Sequence, residues 1–284
     1  MRASIRIARQ PSPLPVQLTS LLGREREANQ LCALLTDPTH RIVTITGPGG
    51  VGKTRLALHV AATLQETFED GVASVQLAAA RDPNFVVPAI AQAFGVYGDT
   101  RDAPEDILAE VLHDRRLLLV LDNFEQLLDA APSLVGILAR CPGTTMLVTS
   151  QAPLGVSGEQ LYPLHPLATP PAEHTAAVDI LQSDAVALFV QRARSVNPDL
   201  AVDERTAGTI AEICRKLDGL PLAIELAAAR TNILSPDALL ARLSNRLQVL
   251  SGTRRGVPDR LRTMRHAISW SYDLLFPGEQ DLFR

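Results

Sequence analysis

The residues whose chemistry is easiest to interpret form a glycine-rich run, GPGGVGKT, at positions 47–54. Glycine, four further residues and then Gly-Lys-Thr is the spacing of a loop that cradles phosphate groups. The glycines let several backbone N–H groups turn toward the same anionic oxygens. Lys53 would reach the outer phosphates of a nucleoside triphosphate, and the Thr54 hydroxyl would ligate Mg²⁺. We therefore predict a site for ATP or ADP with Mg²⁺ formed by Gly47, Pro48, Gly49, Gly50, Val51, Gly52, Lys53, Thr54 and the adjoining Arg55.

An aspartate that ends an apolar run supplies the second half of this site. Residues 116–121 read RLLLVL, and Asp122 follows them. Such a run is typical of a strand covered on both faces, and open α/β sheets bind ligands at the carboxyl ends of their strands. We predict that Asp122 is a Mg²⁺ ligand and, with Lys53, a catalytic residue, because carboxylate oxygens suit this ion. The alternative, which the letters DNFE also permit, is that Asp122 caps the next helix.

The elements that would position these residues alternate along the first part of the chain. A β-branched run precedes the glycines and a helical pattern follows them, as the phosphate-binding interpretation requires. Helical stretches separate most of the predicted strands, so we expect an α/β fold with a parallel sheet. After Pro170 and Pro171 helical patterns dominate. The predicted strands are residues 41–46, 72–77, 116–121, 145–149 and 160–164.

Composition narrows the function classes. The formal net charge of −4 and the pI of about 5.9 give no overall attraction to nucleic acid or to an anionic membrane. No segment has the ~18–20 apolar residues of a membrane span, and the first residues lack the apolar stretch of a secretion signal. The three isolated cysteines match neither a metal site nor a disulfide framework. We expect a cytoplasmic protein without a membrane partner.

Five segments occur in an order that resembles the STAND class of P-loop NTPases. This class of signal-transduction ATPases includes the NB-ARC proteins and many LuxR-type bacterial regulators. The resemblance covers about residues 18–284. The segments are GRE at 23–25, GPGGVGKT at 47–54, LLVLDN at 118–123, LVTS at 147–150 and GLPLA at 219–223.

The resemblance implies further site residues and domains. Arg24 would lie beside the nucleotide, and Pro221 would pack near the adenine and link the nucleotide to a helical domain. The segment from Arg262 looks like the first helix of a winged helix. The predicted order is a flexible lead-in at 1–18, a P-loop nucleotide-binding domain at 19–170, a helical domain at 171–252, and a linker with an incomplete winged-helix start at 253–284.

Two departures from the family pattern bear on catalysis. Asn123 stands where a second carboxylate often follows the Mg²⁺-binding acid, and it cannot accept a proton from water. Gln151 stands where the family often has an arginine that senses the γ-phosphate; it can donate a hydrogen bond but carries no charge, and it is a further candidate catalytic residue. Glu125 is a candidate substitute for the missing acid, although a solvated glutamate on a helix is the commoner case. If the chain is an enzyme, we therefore expect a slow Mg²⁺-dependent ATPase.

The predicted function is a nucleotide-dependent switch in a transcriptional or signalling regulator. Its expected partners are other proteins or further copies of itself. Direct DNA binding by the arginines at 254–265 is not expected, because no aromatic residues are interleaved with them near the glycine- and proline-containing linker. The main alternative is an AAA+-type ATPase that turns over steadily in a ring, with DNA as a candidate substrate. A P-loop kinase is a third class, against which the helical second domain argues.

Overall fold

The computed structural model describes residues 14–96, 104–171 and 177–250. The chain divides into two compact units, of which the first holds residues up to Gly47 and residues 53–164. The second holds residues 48–52 and the chain from His165 onward. The predicted winged-helix start and its arginines lie outside the described residues, as do residues 1–13 of the predicted lead-in. The predicted domain limits at 170 and 252 stay predictions.

A five-stranded parallel sheet forms the centre of the first unit, in the order β2-β3-β4-β1-β5. β3 and β4 lie inside the sheet, and every residue of both strands is buried. This burial explains why their sequences are apolar almost throughout. The predicted α/β fold with a parallel sheet is confirmed. The strands are β1 (Ile42–Thr46), β2 (Val72–Gln76), β3 (Leu117–Asp122), β4 (Thr144–Ser150) and β5 (Glu159–Pro163).

Helices cover both faces of this sheet. Leu117, Leu119 and Leu121 of β3 pack in one buried cluster with side chains of the third, fourth and fifth helices. The second helix packs against β1, β3 and β4, and the first helix packs on the second. The helices are α1 (Glu25–Thr36), α2 (Lys53–Thr63), α3 (Val86–Ala93), α4 (Pro104–Leu112) and α5 (Ala131–Arg140), and short 3₁₀ helices span Pro83–Phe85, Phe124–Gln126 and Leu128–Ala130.

The described part of the second unit contains helices joined by loops and no strand. Its helices are α6 (Ala177–Gln182), α7 (Asp184–Val196), α8 (Glu204–Lys216), α9 (Pro221–Ala228) and α10 (Pro236–Leu250), with a 3₁₀ helix at Ala229–Asn232. Asp203 caps α8 by accepting a hydrogen bond from the Thr206 N–H at 2.8 Å. α7 packs on α8 and α9, and α10 packs on α8. The helical region predicted after residue 170 is thereby confirmed.

A tight turn precedes α9. Gly219 has a φ of 64°, and a Cβ atom there would lie 2.2 Å from the carbonyl oxygen of Leu167. The Leu167 N–H also donates to the Gly219 carbonyl at 2.9 Å. Glycine is therefore required by both the backbone conformation and the close approach. Pro221 then occupies the first turn of α9, where its missing N–H costs nothing. Among the described residues, none of the helices combines the length and apolar character needed to cross a bilayer.

Candidate nucleotide-binding site

The glycine-rich loop connects the carboxyl end of β1 to the first residue of α2, Lys53. Gly50 and Gly52 adopt φ values of 77° and 101°, which side chains other than glycine rarely tolerate. Lys53 is 8% exposed, and its Nζ donates to the Gly47 carbonyl at 2.9 Å. The predicted strand–loop–helix context of the motif is therefore present, with the lysine at the amino end of the helix.

Charge and burial act in opposite directions on Lys53. Burial lowers the pKa of the Lys53 ammonium, and the negative charges of Glu125 and then Asp122 oppose this shift. The desolvation of a cation by burial disfavours its charged form, so the net pKa is below the ordinary value. The ammonium is therefore held at a site where additional negative charge would be favourable.

The Asp122 carboxylate is the centre of a buried network of hydrogen bonds. It is 5% exposed at the carboxyl end of β3. The Thr54 hydroxyl donates to Asp122 Oδ1 at 2.7 Å, and the Thr149 hydroxyl donates to the same oxygen at 2.6 Å. The side chain is thus bound from α2 and from β4. The alternative of a helix cap is wrong, because Asn123 occupies the capping position of the next helical turn.

Thr149 is a site residue that the sequence analysis did not assign a role. Its hydroxyl donates to Asp122 and accepts the backbone N–H of Asn123 at 3.0 Å. It lies 1% exposed near the end of β4, among apolar neighbours. The sequence offered one signal for this role: a hydroxyl residue near the carboxyl end of an apolar strand, the end at which Asp122 was predicted to lie.

Thr54 and Asp122 also form a suitable pair of Mg²⁺ ligands. Both present hard oxygen atoms, and their hydrogen bond places those atoms 2.7 Å apart. Within residues 14–96, 104–171 and 177–250 there is no group of three or more His, Cys, Asp and Glu side chains that could hold a metal. A site with one carboxylate and one hydroxyl fits Mg²⁺, which commonly takes its other ligands from water and substrate phosphates.

Asn123, Glu125 and Gln151 lie beside this network. Asn123 has left-handed backbone angles, φ 65° and ψ 55°, so the chain reverses direction directly after Asp122. Glu125 follows in the short helix Phe124–Gln126. The Gln151 amide donates to Glu125 Oε1 at 3.3 Å. The structure therefore brings Glu125, the candidate substitute for the missing acid, together with Gln151, which stands at the position of the family's γ-phosphate-sensing arginine.

The remaining predicted site residues lie at other positions. Arg24 is 5% exposed directly before α1, and it pairs with Glu27 at 2.7 Å. The Arg55 guanidinium donates to the backbone carbonyls of Thr19 and Ser20, at 3.0 and 2.6 Å. Arg55 therefore binds the segment that precedes α1, and its role toward nucleotide stays a prediction, as does that of Arg24.

Pro221 begins α9 in the second unit. The next residue, Leu222, donates its N–H to the Gly50 carbonyl at 3.1 Å. A Cβ atom at Gly50 would lie 3.0 Å from the Leu222 Cβ. Gly50 and Leu222 both belong to the second unit, so the start of α9 lies directly against the middle of the glycine-rich loop. The predicted contact of Pro221 with adenine stays a prediction.

Comparison with known proteins agrees with this geometry. Residues 36–149 match the family model described as an AAA domain. An uncharacterized protein of Mycobacterium tuberculosis is 41% identical over 93% of this chain and 64% of its own length. Another protein of that organism, named as a candidate HTH-type transcriptional regulator, is 39% identical over 86% of this chain and 26% of its own length. This chain thus spans less than two thirds of either relative.

A solved structure shows the same fold. It is a STAND protein with a tetratricopeptide repeat sensor from Pyrococcus horikoshii, matched with a TM-score of 0.55 and 15% identity over 95% of this chain and 35% of its own. The resemblance predicted from the five sequence segments is confirmed. Residues 36–149 are thus similar to an AAA domain, and the described chain has the α/β fold of a P-loop NTPase with a helical region, as this STAND protein has.

Proposed function

We propose that this chain is the switch of a signalling or transcriptional regulator, which binds ATP or ADP with Mg²⁺ and hydrolyses ATP slowly. The observation that carries the proposal is the buried Asp122 carboxylate, bound by the hydroxyls of Thr54 and Thr149 next to the helix that Lys53 begins. A nucleoside triphosphate with Mg²⁺ requires these groups: a carboxylate, a hydroxyl and an ammonium at the end of a glycine-rich loop.

Each of these groups has a defined part in binding. The ammonium of Lys53 would neutralise charge on the outer phosphates, and the backbone N–H groups of the loop would bind phosphate oxygens. Thr54 and Asp122 would hold Mg²⁺, which when bound supplies positive charge to the β- and γ-phosphate oxygens. The same assignment makes Lys53 and Asp122 the residues on which hydrolysis depends.

The switch part of the proposal rests on α9 and on the relatives. The hydrogen bond from Leu222 to Gly50 joins the start of α9 to the loop that would hold phosphate. A nucleotide can shift a conformational equilibrium only if it interacts differently with the two arrangements, and a helix in contact with the loop offers such a difference. A relative named as a regulator supports a regulatory output, through protein partners or self-association.

A second candidate is an AAA+-type motor that turns over in a ring, which the match to an AAA domain favours. The rate of ATP hydrolysis distinguishes the motor from the switch. We expect the isolated chain to hydrolyse ATP below ~1 s⁻¹, the lower end of ordinary enzyme turnover, and to retain ADP during purification. The checks are phosphate release and chromatography of the nucleotide released on denaturation. Turnover of several per second that is lost in Lys53→Ala would reject the switch in favour of the motor.

A further inference from the structure

The Glu125 carboxylate has no part in the proposed binding of nucleotide and Mg²⁺. It lies three residues beyond Asp122, and its side chain is partly buried. Its Oε1 atom accepts the Gln151 amide at 3.3 Å. Its Oε2 atom is buried, and no group in the described part of the chain donates a hydrogen bond to it. The carboxylate is thus held on one side and unsatisfied on the other.

An unsatisfied buried acceptor is unfavourable. Leaving such a group without a donor destabilises the folded state, and the destabilisation is larger when the group is charged. Buried polar groups in native proteins almost always have a partner, so an exception indicates a position where water or a ligand supplies the donor. A carboxylate oxygen whose charge acts on Lys53 is well suited to accept a hydrogen bond from a water molecule.

The backbone explains how Glu125 reaches this position. The left-handed conformation of Asn123 turns the chain directly after β3, and the hydrogen bond from its N–H to Thr149 fixes that turn. Glu125 consequently lies next to Gln151, the residue that follows β4. Its negative charge also acts on Lys53 more strongly than that of Asp122 does. Glu125 is therefore within electrostatic reach of the ammonium assigned to the outer phosphates.

We propose that Glu125 orients the water that attacks the γ-phosphate and accepts its proton, and that Gln151 is a positioning residue that holds the Glu125 carboxylate. This inference rests on the proposed binding of ATP. The water oxygen forms a bond to the γ-phosphorus, and the bond from that phosphorus to the β–γ bridging oxygen breaks, with its electron pair leaving on ADP. The proton of the water passes to Glu125 and then to solvent. Asn123 takes no part in this proposed reaction step.

The test is single-turnover hydrolysis of γ-labelled ATP with protein in excess. Removing a general base typically costs about 10²–10⁴-fold in rate, so Glu125→Gln should hydrolyse at least ~100-fold more slowly than wild type. ATP affinity in calorimetry should stay within about threefold, because the assigned phosphate and Mg²⁺ ligands are unchanged. Asp129→Asn is the matched control, an exposed carboxylate in the next short helix, and it should leave the rate unchanged.

Gln151 is tested by separating rate from binding. Gln151→Leu removes the amide donor, so kcat should fall about tenfold with little change in KM, as expected for an interaction needed in the transition state. Gln151→Arg keeps a donor and should retain at least the wild-type rate. A purely structural role for Gln151 would instead lower the melting temperature of Gln151→Leu and leave kcat of the folded protein unchanged.

Three outcomes would overturn the inference. The first is that Glu125→Gln binds ATP and hydrolyses it at the wild-type rate, and the second is that wild type binds ATP and hydrolyses it no faster than Lys53→Ala. Both results would leave the proposed binding site intact. Failure of wild type to bind ATP at all would instead reject the proposed function, and the inference with it. Melting curves of Glu125→Gln and Glu125→Ala verify that the compared proteins are folded.

Discussion

The two halves of the candidate site differ in how firmly they are built. The binding half consists of Lys53, Thr54, Asp122 and Thr149, and the side chains of Lys53, Thr54 and Thr149 donate hydrogen bonds of 2.6 to 2.9 Å. The hydrolysis half consists of Asn123, Glu125 and Gln151. There the one side-chain hydrogen bond between Glu125 and the exposed Gln151 measures 3.3 Å, and a carboxylate oxygen has no donor among the described residues.

This difference indicates that the two halves of the candidate site are suited to different tasks. Side chains already fixed by packing lose little entropy when a ligand binds, so the binding half favours tight retention of nucleotide. A catalytic carboxylate held by one long hydrogen bond is poorly preorganised, and preorganisation is a large part of transition-state stabilisation. The contrast agrees with the proposed switch, which would hold nucleotide for longer than it takes to bind it and would hydrolyse ATP slowly.

The largest effect should come from the lysine of the binding half. Lys53→Ala removes the ammonium assigned to the outer phosphates, so affinity for ATP and ADP should fall at least tenfold, about 1.4 kcal/mol. Calorimetry is the measurement. Lys216→Ala is the matched control, because Lys216 lies in α8 and pairs with Glu212 at 3.6 Å. Equal affinities for Lys53→Ala and wild type would show that Lys53 does not bind the outer phosphates and would reject the proposed site.

The next effect concerns Mg²⁺. Asp122→Asn keeps the size of the side chain and weakens it as a cation ligand, so ADP binding in chelator should be largely spared. The additional ATP affinity that Mg²⁺ confers should be lost, as measured by titrations with and without the ion. If Mg²⁺ raises the ATP affinity of Asp122→Asn and of wild type equally, another residue binds the ion and Asp122 does not belong to the binding half.

A smaller effect tests whether Thr149 holds Asp122 in place. Thr149→Val removes the donor to Asp122 and leaves the Asn123 N–H without its acceptor, at a cost of about 1 kcal/mol, or about fivefold in Mg²⁺-dependent ATP affinity. Thr144→Val in the same strand is the control, since the Thr144 hydroxyl is buried with no partner in the described residues, and it should be neutral or stabilising. Similar affinities for both variants would deny Thr149 a positioning role.

The smallest effect concerns pH. The folded-state pKa of Lys53 is lowered below its ordinary value of 10.5, so the unfolded chain holds a proton more readily than the folded chain does. The resulting destabilisation is present at neutral pH and is relieved as pH rises toward 10.5. Lys53→Met should therefore melt slightly above wild type in nucleotide-free buffer, and the gap should narrow at higher pH. A lower melting temperature for Lys53→Met would show that attraction to Glu125 and Asp122 outweighs desolvation.

Local patterns predicted the fold and the binding half better than the hydrolysis half. The apolar run before Asp122 and the glycine spacing before Lys53 report burial and backbone freedom directly. The partners of Asp122 are 68 and 27 residues away, so the tertiary structure was needed to reject the helix cap.

The hydrolysis half depends on backbone geometry that the letters do not reveal. Asparagine tolerates the left-handed conformation but does not require it, so the turn at Asn123 could not be read from the sequence. Without that turn, Glu125 was indistinguishable from a solvated helical glutamate. Its neighbour Gln151 is 26 residues away.

The place of β1 in the sheet sets the order in which the molecule can be assembled during synthesis. β1 pairs only with β4 and β5 in the described sheet, and its partner residues lie about 100 residues later in the chain. At a translation rate of about 5–20 residues per second, β1 would wait roughly 5–20 seconds for its first neighbour. Non-local pairing of this kind is slow to form. The glycine-rich loop is therefore anchored late in folding, and we expect a nascent chain to bind nucleotide only after β1 has paired with β4.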